Sequence, residues 1–183
     1  MDDIHEDQYT ISDFINISAR SSASYWYDKK WREVNKCVFC DLKKRYVIKE
    51  LDDMILTTNI YPYIDGHLMI IPKNHIGALK ELSAKQWEAV RTLEYVSKKM
   101  LRALFDIKSV WMLYREGPLG SESQKTVEHL HIQILPYKDG LVKWTFQQIT
   151  IPPFETASKF KENIDVFDDL VKRYKLKYAK ANA

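Results

Sequence analysis

Disulfide chemistry has little to work with in this sequence: there are two cysteines among 183 residues. That excludes a secreted scaffold stapled by disulfides. No run of about 18 apolar residues occurs, so neither a transmembrane span nor a membrane partner is expected. Charge of one sign is not in excess either. A formal net charge of +3 is too small to argue for a nucleic-acid partner from totals alone. The opening stretch MDDIHEDQYT is acidic where a signal peptide would be basic and then apolar, which leads to the expectation of a cytoplasmic protein. Internal repeats and low-complexity tracts are missing as well.

What is there is a chain 45% hydrophobic and 29% charged, the balance of a globular domain long enough for one core and an extension. Residues 1–36 are polar and aromatic (SASYWYDKKWREVNK) and read as an N-terminal extension. RYVIKEL and MILTTN read as two short strands around a turn at Asp52 and Asp53. YPYIDG is a turn, and HLMII a strand ended by Pro72. Residues 83–105 form the clearest helix, with a capping box offered by Ser83 and Gln86. Trp87, Val90, Leu93, Met100, Leu101 and Leu104 mark its apolar stripe. VWMLYRE is a strand, GPLGSESQK a loop, and TVEHLHIQIL a strand ended by Pro136. A last helix is expected over residues 157–177, inside a C-terminal extension that runs from 138 to 183. Phe160, Ile164, Phe167, Leu170, Val171 and Tyr174 lie on one side of it. Strands, helix, strands, helix, with short early links, predict an α+β fold on an antiparallel sheet.

TVEHLHIQIL raises the question of function. Alternate side chains of a strand share a face, so His129, His131 and Gln133 are expected on one face and Leu130, Ile132 and Ile134 on the other. Polar side chains buried without partners are costly. Three in a row on a core-like strand therefore suggest a site. The alternative is an amphipathic edge strand with two solvated histidines. Cys37-x-x-Cys40 raises a second question, because this is the spacing of a metal knuckle and thiolates bind zinc. Two cysteines make half a site. A redox pair usually opens a helix after a strand, whereas CVFCDLKKRYVI reads as a knuckle leading into a strand. Two ordinary reduced thiols are the remaining alternative.

CVFCDL, TTNIYPYIDGHLMIIPKNH, a long helix and EHLHIQILP occur in that order. Together they resemble the histidine-triad (HIT) superfamily of nucleotide hydrolases and transferases over residues 37–137. The third triad position is Gln133, as in the galactose-1-phosphate uridylyltransferase branch and some dinucleoside-polyphosphate phosphorylases. The resemblance implies a HIT-like fold and a nucleotide-binding catalytic domain. It implies His131 as nucleophile on the α-phosphorus, with a nucleotidyl-histidine intermediate passed to water, phosphate or another acceptor. It implies structural zinc on Cys37, Cys40, His75 and His129, and a homodimer. Thr126 stands near the family's phosphate-binding serine, preceded by Ser123, Gln124 and Lys125. Asn59 stands where relatives hold the ribose, and Ile60 where they wall the base. Taken alone, Asn59 reads as a turn residue and Lys125 as a solvated loop charge. His67 reads as a packed strand histidine and His5 as solvated.

The chain departs from the pattern in two places. Arg115 stands where an asparagine is expected, and the loop after it is about three residues longer than in relatives of this superfamily, with no glycine near the histidines. Arg115 and Lys125 add positive charge where a polyphosphate would run. Glutamine at 133 cannot ionise; it can only hold phosphoryl oxygens or a leaving atom by hydrogen bonds. That suits good leaving groups such as phosphates, and suits transfer as well as hydrolysis. A non-catalytic nucleotide-binding scaffold and a hydrolase of adenylylated nucleic-acid ends are the competing functions. The second rests on the basic KRYKLKYAKA, which also reads as cations at a helix C-terminus.

Overall fold

The computed structural model describes residues 33–34, 37–60, 62–119, 125–137 and 151–179. The aromatic N-terminal stretch, Ser123, Gln124 and residues 138–150 lie outside the described residues. The chain divides into two compact units, Met1–Tyr137 and Lys138–Ala183.

In the first unit β1 (Val47–Leu51) and β2 (Met54–Thr58) form the expected hairpin. Asp52 and Asp53 turn it with φ of 47° and 61°, left-handed values that aspartate tolerates better than most residues. Next come β3 (Leu68–Pro72), α1 (Ala84–Phe105), β4 (Val110–Leu113) and β5 (Ile132–Pro136). All neighbours pair antiparallel in the order β1-β2-β3-β5-β4. The α+β expectation therefore holds.

The two faces of the sheet differ. Met54, Leu56, Leu68, Ile70, Ile132 and Ile134 point one way and pack with Ala89, Val90, Leu93 and Leu101 of α1. Full burial of one such side chain stabilises by about 1.5–3 kcal/mol. Register places Thr57, Met69, Gln133 and Leu113 in one row across β2, β3, β5 and β4, on the opposite face. Thr57, Met69 and Gln133 are buried there too.

The long helix begins at its capping box: Ser83 Oγ accepts from the Gln86 N–H at 3.2 Å, and Gln86 Oε1 accepts from the Ser83 N–H at 3.0 Å. The Gln86 side chain also donates to Asn74 Oδ1 at 3.0 Å, tying the helix start to the loop that carries His75. Gly66 sits at φ +78° with α1 close by; a Cβ there would meet Leu101 Cδ2 at 2.9 Å. The positive φ favours glycine, and any other residue there would also have to displace the Leu101 and Ile107 side chains.

Three expectations are corrected. The apolar stripe of α1 is narrower than its periodicity suggests: Val90, Leu93 and Leu101 are buried, whereas Trp87, Met100 and Leu104 are exposed. Gln86 and Ser97 take buried positions instead. The strand from Thr126 starts only at Ile132, because the Leu130 N–H turns to the Ile76 carbonyl at 2.7 Å and leaves the ladder. In the second unit the single helix is two, α2 (Pro153–Glu162) and α3 (Ile164–Ala179). Asn163 separates them, its side chain donating to the Lys159 carbonyl at 2.8 Å and competing with the backbone for that acceptor. Phe160, Ile164, Phe167, Leu170 and Tyr174 are exposed. No helix among the described residues is long and apolar enough to cross a membrane.

Candidate active site and metal cluster

Four side chains from three separate stretches of the chain come together. Ligand atoms of Cys37, Cys40, His75 and His129 all lie within 4.8 Å of one another. His129 Nδ1 is 3.2 Å from Cys37 Sγ and 3.5 Å from Cys40 Sγ, and His75 Nδ1 is 3.4 Å from Cys40 Sγ. Sulfur and nitrogen on a tetrahedral zinc would be about 3.6 Å apart, given the usual bond lengths. The cysteines sit on a tight turn, where the Cys40 N–H donates to the Cys37 carbonyl at 2.9 Å.

The chemistry of the donors fits a metal as well as their spacing does. His129 Nε2–H donates to the Pro72 carbonyl at 2.9 Å, so Nδ1 carries the lone pair and faces the two thiols. Such a second hydrogen bond is what orients a metal-binding imidazole. Burial keeps His129 neutral, with a pKa lowered to about 4. Burial also pushes the Cys37 thiol up to about 11, so a buried thiolate there needs a cation beside it. The cluster thus has two soft and two borderline donors and, among the described residues, no fifth group, the composition of a closed structural zinc site. The redox and ordinary-thiol alternatives do not account for the two imidazoles.

His131 is built the opposite way. Its Nδ1–H donates to the backbone carbonyl of His129 at 2.9 Å, which leaves Nε2 as the free basic nitrogen. Burial, with further contributions from Arg115 and Lys125, depresses its pKa below the ordinary 6.5, so it is neutral at pH 7. Arg115 is half-buried after β4. Lys125 is buried, and its Nζ donates to the Gly77 carbonyl at 3.3 Å. Gln133 is buried on β5, and its Oε1 has no hydrogen-bond partner among the described residues.

Asn59 extends the β2–β3 ladder, its N–H donating to the His67 carbonyl at 3.0 Å, so strand alternation puts it on the face that carries Gln133. Its Nδ2 lies 3.4 Å from His67 Nδ1, which also accepts from the Tyr63 N–H at 3.2 Å. His67 is therefore a packed, hydrogen-bonded histidine, stacked on Tyr63, and not a member of the metal cluster. Ile60 is half-buried beside Asn59, and Thr126 is exposed. Arg115 and Lys125 thus lie near enough to act on the charge of His131, Gln133 follows it two residues on, and Ile60 and Thr126 are described by their exposure alone. One neighbour of the two histidines gave no signal in the sequence. Phe39, between the two cysteines, places its ring centroid 5.0 Å from that of His131 and 6.0 Å from that of His129.

Comparison with known proteins gives the family and supports the fold. Residues 36–141 match the family model described as "Scavenger mRNA decapping enzyme C-term binding". Adenosine 5'-monophosphoramidase HINT3 of Danio rerio is 29% identical over 119 residues, 61% of this chain and 71% of that protein. Its Mus musculus counterpart is 28% identical over 120 residues, 61% and 70% of the two chains. Among solved structures, a HIT family protein from Bacillus anthracis superposes with a TM-score of 0.57 at 16% identity, over 76% of this chain and 96% of that one. A hypothetical protein from Leishmania major gives 0.56 at 22% identity, over 74% and 98%. The structural likenesses establish the fold alone. With the family match spanning more than half of the chain, this protein belongs to the decapping-enzyme C-terminal family of the histidine-triad superfamily.

Proposed function

We propose that this protein is an enzyme that cleaves a nucleotide substrate at its α-phosphate through a nucleotidyl-His131 intermediate. The observation that carries the reading is the 2.9 Å hydrogen bond from His131 Nδ1–H to the His129 carbonyl, which fixes a neutral tautomer with Nε2 free. In the first step the Nε2 lone pair forms a bond to phosphorus, and the leaving group departs with the electron pair of the broken bond. The imidazole is now cationic, and the His129 carbonyl, accepting its Nδ1–H, stabilises that charge. In the second step the oxygen of water, phosphate or another acceptor bonds to phosphorus, the N–P bond breaks and Nε2 regains its lone pair. The acceptor gives up its proton to solvent.

Gln133 supports a leaving group that needs no proton, because its carboxamide hydrogen-bonds without ionising. Arg115 and Lys125 supply cationic charge near His131 for phosphoryl oxygens, Asn59 for ribose and Ile60 and Thr126 for the base and phosphate edges. On that basis the substrate is a dinucleoside polyphosphate or a related nucleotide, and the chain lies in the branch with glutamine at the third position. The catalytic domain is 37–137, with 1–36 and 138–183 as extensions. Zinc on Cys37, Cys40, His75 and His129 holds the segment that carries His131. Exposed Val96, Met100 and Leu104 on α1 and Met112 on the edge strand β4 support a homodimer. A single monomer mass across micromolar concentrations would remove that part.

The test is incubation with diadenosine polyphosphates, a nucleotide sugar, adenosine 5'-phosphoramidate and a cap dinucleotide, with and without phosphate, followed by intact-mass analysis. The phosphoramidate is included because relatives are named for it, and the cap because the matched family is named for mRNA decapping. A transient nucleotidyl adduct on His131 is expected, lost to whichever acceptor is present. Absence of an adduct and of products with every substrate would leave a binding scaffold.

A further inference from the structure

The metal cluster and the nucleophile share more than a stretch of backbone. Cys37 and Cys40 close a turn whose N–H groups fold back on the Cys37 carbonyl at 2.9 and 3.2 Å. That turn projects Phe39, half-buried, onto the imidazole of His131 with the ring planes tilted by 50°. The same ring meets His129 edge-on at 81°. The His131 ring is then held twice. The carbonyl of His129 fixes one nitrogen by a hydrogen bond, and Phe39 restrains the ring plane by packing. Both supports originate in residues of the metal cluster or between its cysteines. A hydrogen bond to one nitrogen leaves rotation about its own axis open, and a packed ring removes that freedom.

We infer that Phe39 is a positioning residue through which closure of the Cys37–Cys40 turn on its metal holds the His131 imidazole in place. The inference rests on the proposed metal cluster and not on any substrate. Without the metal the turn keeps its own backbone hydrogen bonds, but among the described residues only the thiol–imidazole contacts tie its cysteines to His75 and His129, so the hold of Phe39 on the His131 ring loosens. Misplacing a nucleophile by an ångström can lower a rate by roughly two orders of magnitude, so a packing residue at this point has leverage on kcat.

Carbethoxylation of His131 by diethyl pyrocarbonate, localised by peptide fragmentation, tests this without substrate. The full-length protein is compared with zinc bound and after chelation, as wild type, Phe39→Ala, Phe39→Leu and Phe39→Tyr, with zinc content measured on each. The wild-type zinc form should react slowly at His131. Phe39→Ala should react severalfold faster while keeping its zinc, Phe39→Leu should fall between, and Phe39→Tyr should match wild type. Chelation should accelerate the wild type and add little in Phe39→Ala, because the contact is already gone. Any activity found should drop by about tenfold or more in kcat for Phe39→Ala, with KM nearly unchanged. An unchanged modification rate in zinc-bound Phe39→Ala and Phe39→Leu overturns the inference. So does equal acceleration by chelation with and without the ring, which would route the coupling through the His129 carbonyl alone, and so does a wild type that binds no zinc. Failure to find a nucleotidyl adduct would defeat the proposed function and leave this result standing.

Discussion

His129 and His131 are two residues apart, both buried, and wired in opposite senses. His129 gives its Nε2–H to Pro72 and turns Nδ1 toward two thiols; His131 gives its Nδ1–H to the backbone of His129 and keeps Nε2 free. On the proposed reading, one imidazole is set up as a ligand and the other as a nucleophile. Side-chain identity does not separate them; the carbonyl that each meets does. The difference teaches that a histidine's role is set by which nitrogen is spent on a hydrogen bond.

The comparison breaks most visibly on substitution. His131→Ala should abolish turnover, by a factor on the order of 10⁶ when a nucleophile is removed. Its zinc content and circular dichroism should stay those of wild type. His129→Ala should do the reverse first, losing zinc and thermal stability, with activity lost as a consequence. Parallel elemental analysis, thermal melts and single-turnover assays on both variants check the pair. If His131→Ala also loses zinc, the division of labour is wrong.

Metal removal sharpens the ligand half. A metal that binds only the folded chain adds its binding free energy to stability. Cys37→Ala, or chelation of wild type, should therefore lower the melting temperature by many degrees, and zinc should restore only the wild type. Equal melts with and without chelator would show that the four side chains hold no stabilising ion.

Gln133 tests the nucleophile half at smaller amplitude. Its buried Oε1 has no partner among the described residues and stands ready for a ligand. Losing one positioning group costs roughly 10²–10³-fold, so Gln133→Ala should be far milder than His131→Ala. Gln133→His restores an ionisable group and should raise the share of intermediate lost to water relative to phosphate. An unchanged partition would move acceptor choice to Arg115 and Lys125.

How much of this was legible beforehand follows the range of the interactions involved. The capping box at Ser83 and Gln86 was readable because its partners are three residues apart. The hairpin at Asp52–Asp53 was readable for the same reason. The metal tetrad was reached through motif resemblance, since spacing alone gave only the Cys37–Cys40 half. What failed were places where a distant partner overrides a local pattern. Leu130 looks like a strand residue until its N–H finds Ile76. Trp87, Met100 and Leu104 have helical spacing, yet the core takes Gln86 and Ser97 on the neighbouring strip. Phe39 carried no signal at all, because only the fold brings residue 39 to residue 131.

The smallest expected effect is a shift along the pH axis, and it bears on the electrostatics that set the two imidazoles apart from ordinary ones. His131 must be neutral to attack, and its pKa lies below 6.5 through burial first and then Arg115 and Lys125. The acid limb of kcat/KM should accordingly fall below pH 6.5, with activity flat through neutrality. Replacing either cation by a neutral residue removes repulsion against the imidazolium, which raises the pKa of His131 and moves the limb toward higher pH. Stability follows the same sign for His129, whose pKa drops from 6.5 to about 4 on folding. Above 6.5 neither state of the chain protonates it; between 6.5 and about 4 the unfolded chain gains a proton that the folded one refuses, so stability is lost as pH falls across that window. Zinc bound to Nδ1 would block protonation further and carry this loss to pH values below about 4 rather than steepen it. Arg115→Gln and Lys125→Gln pH–rate profiles, set beside wild-type melts from pH 7 to 4, measure both. An acid limb that stays in place when Arg115 and Lys125 are neutralised would show that burial alone keeps His131 uncharged. The long loop between those cations would then serve the substrate rather than the nucleophile.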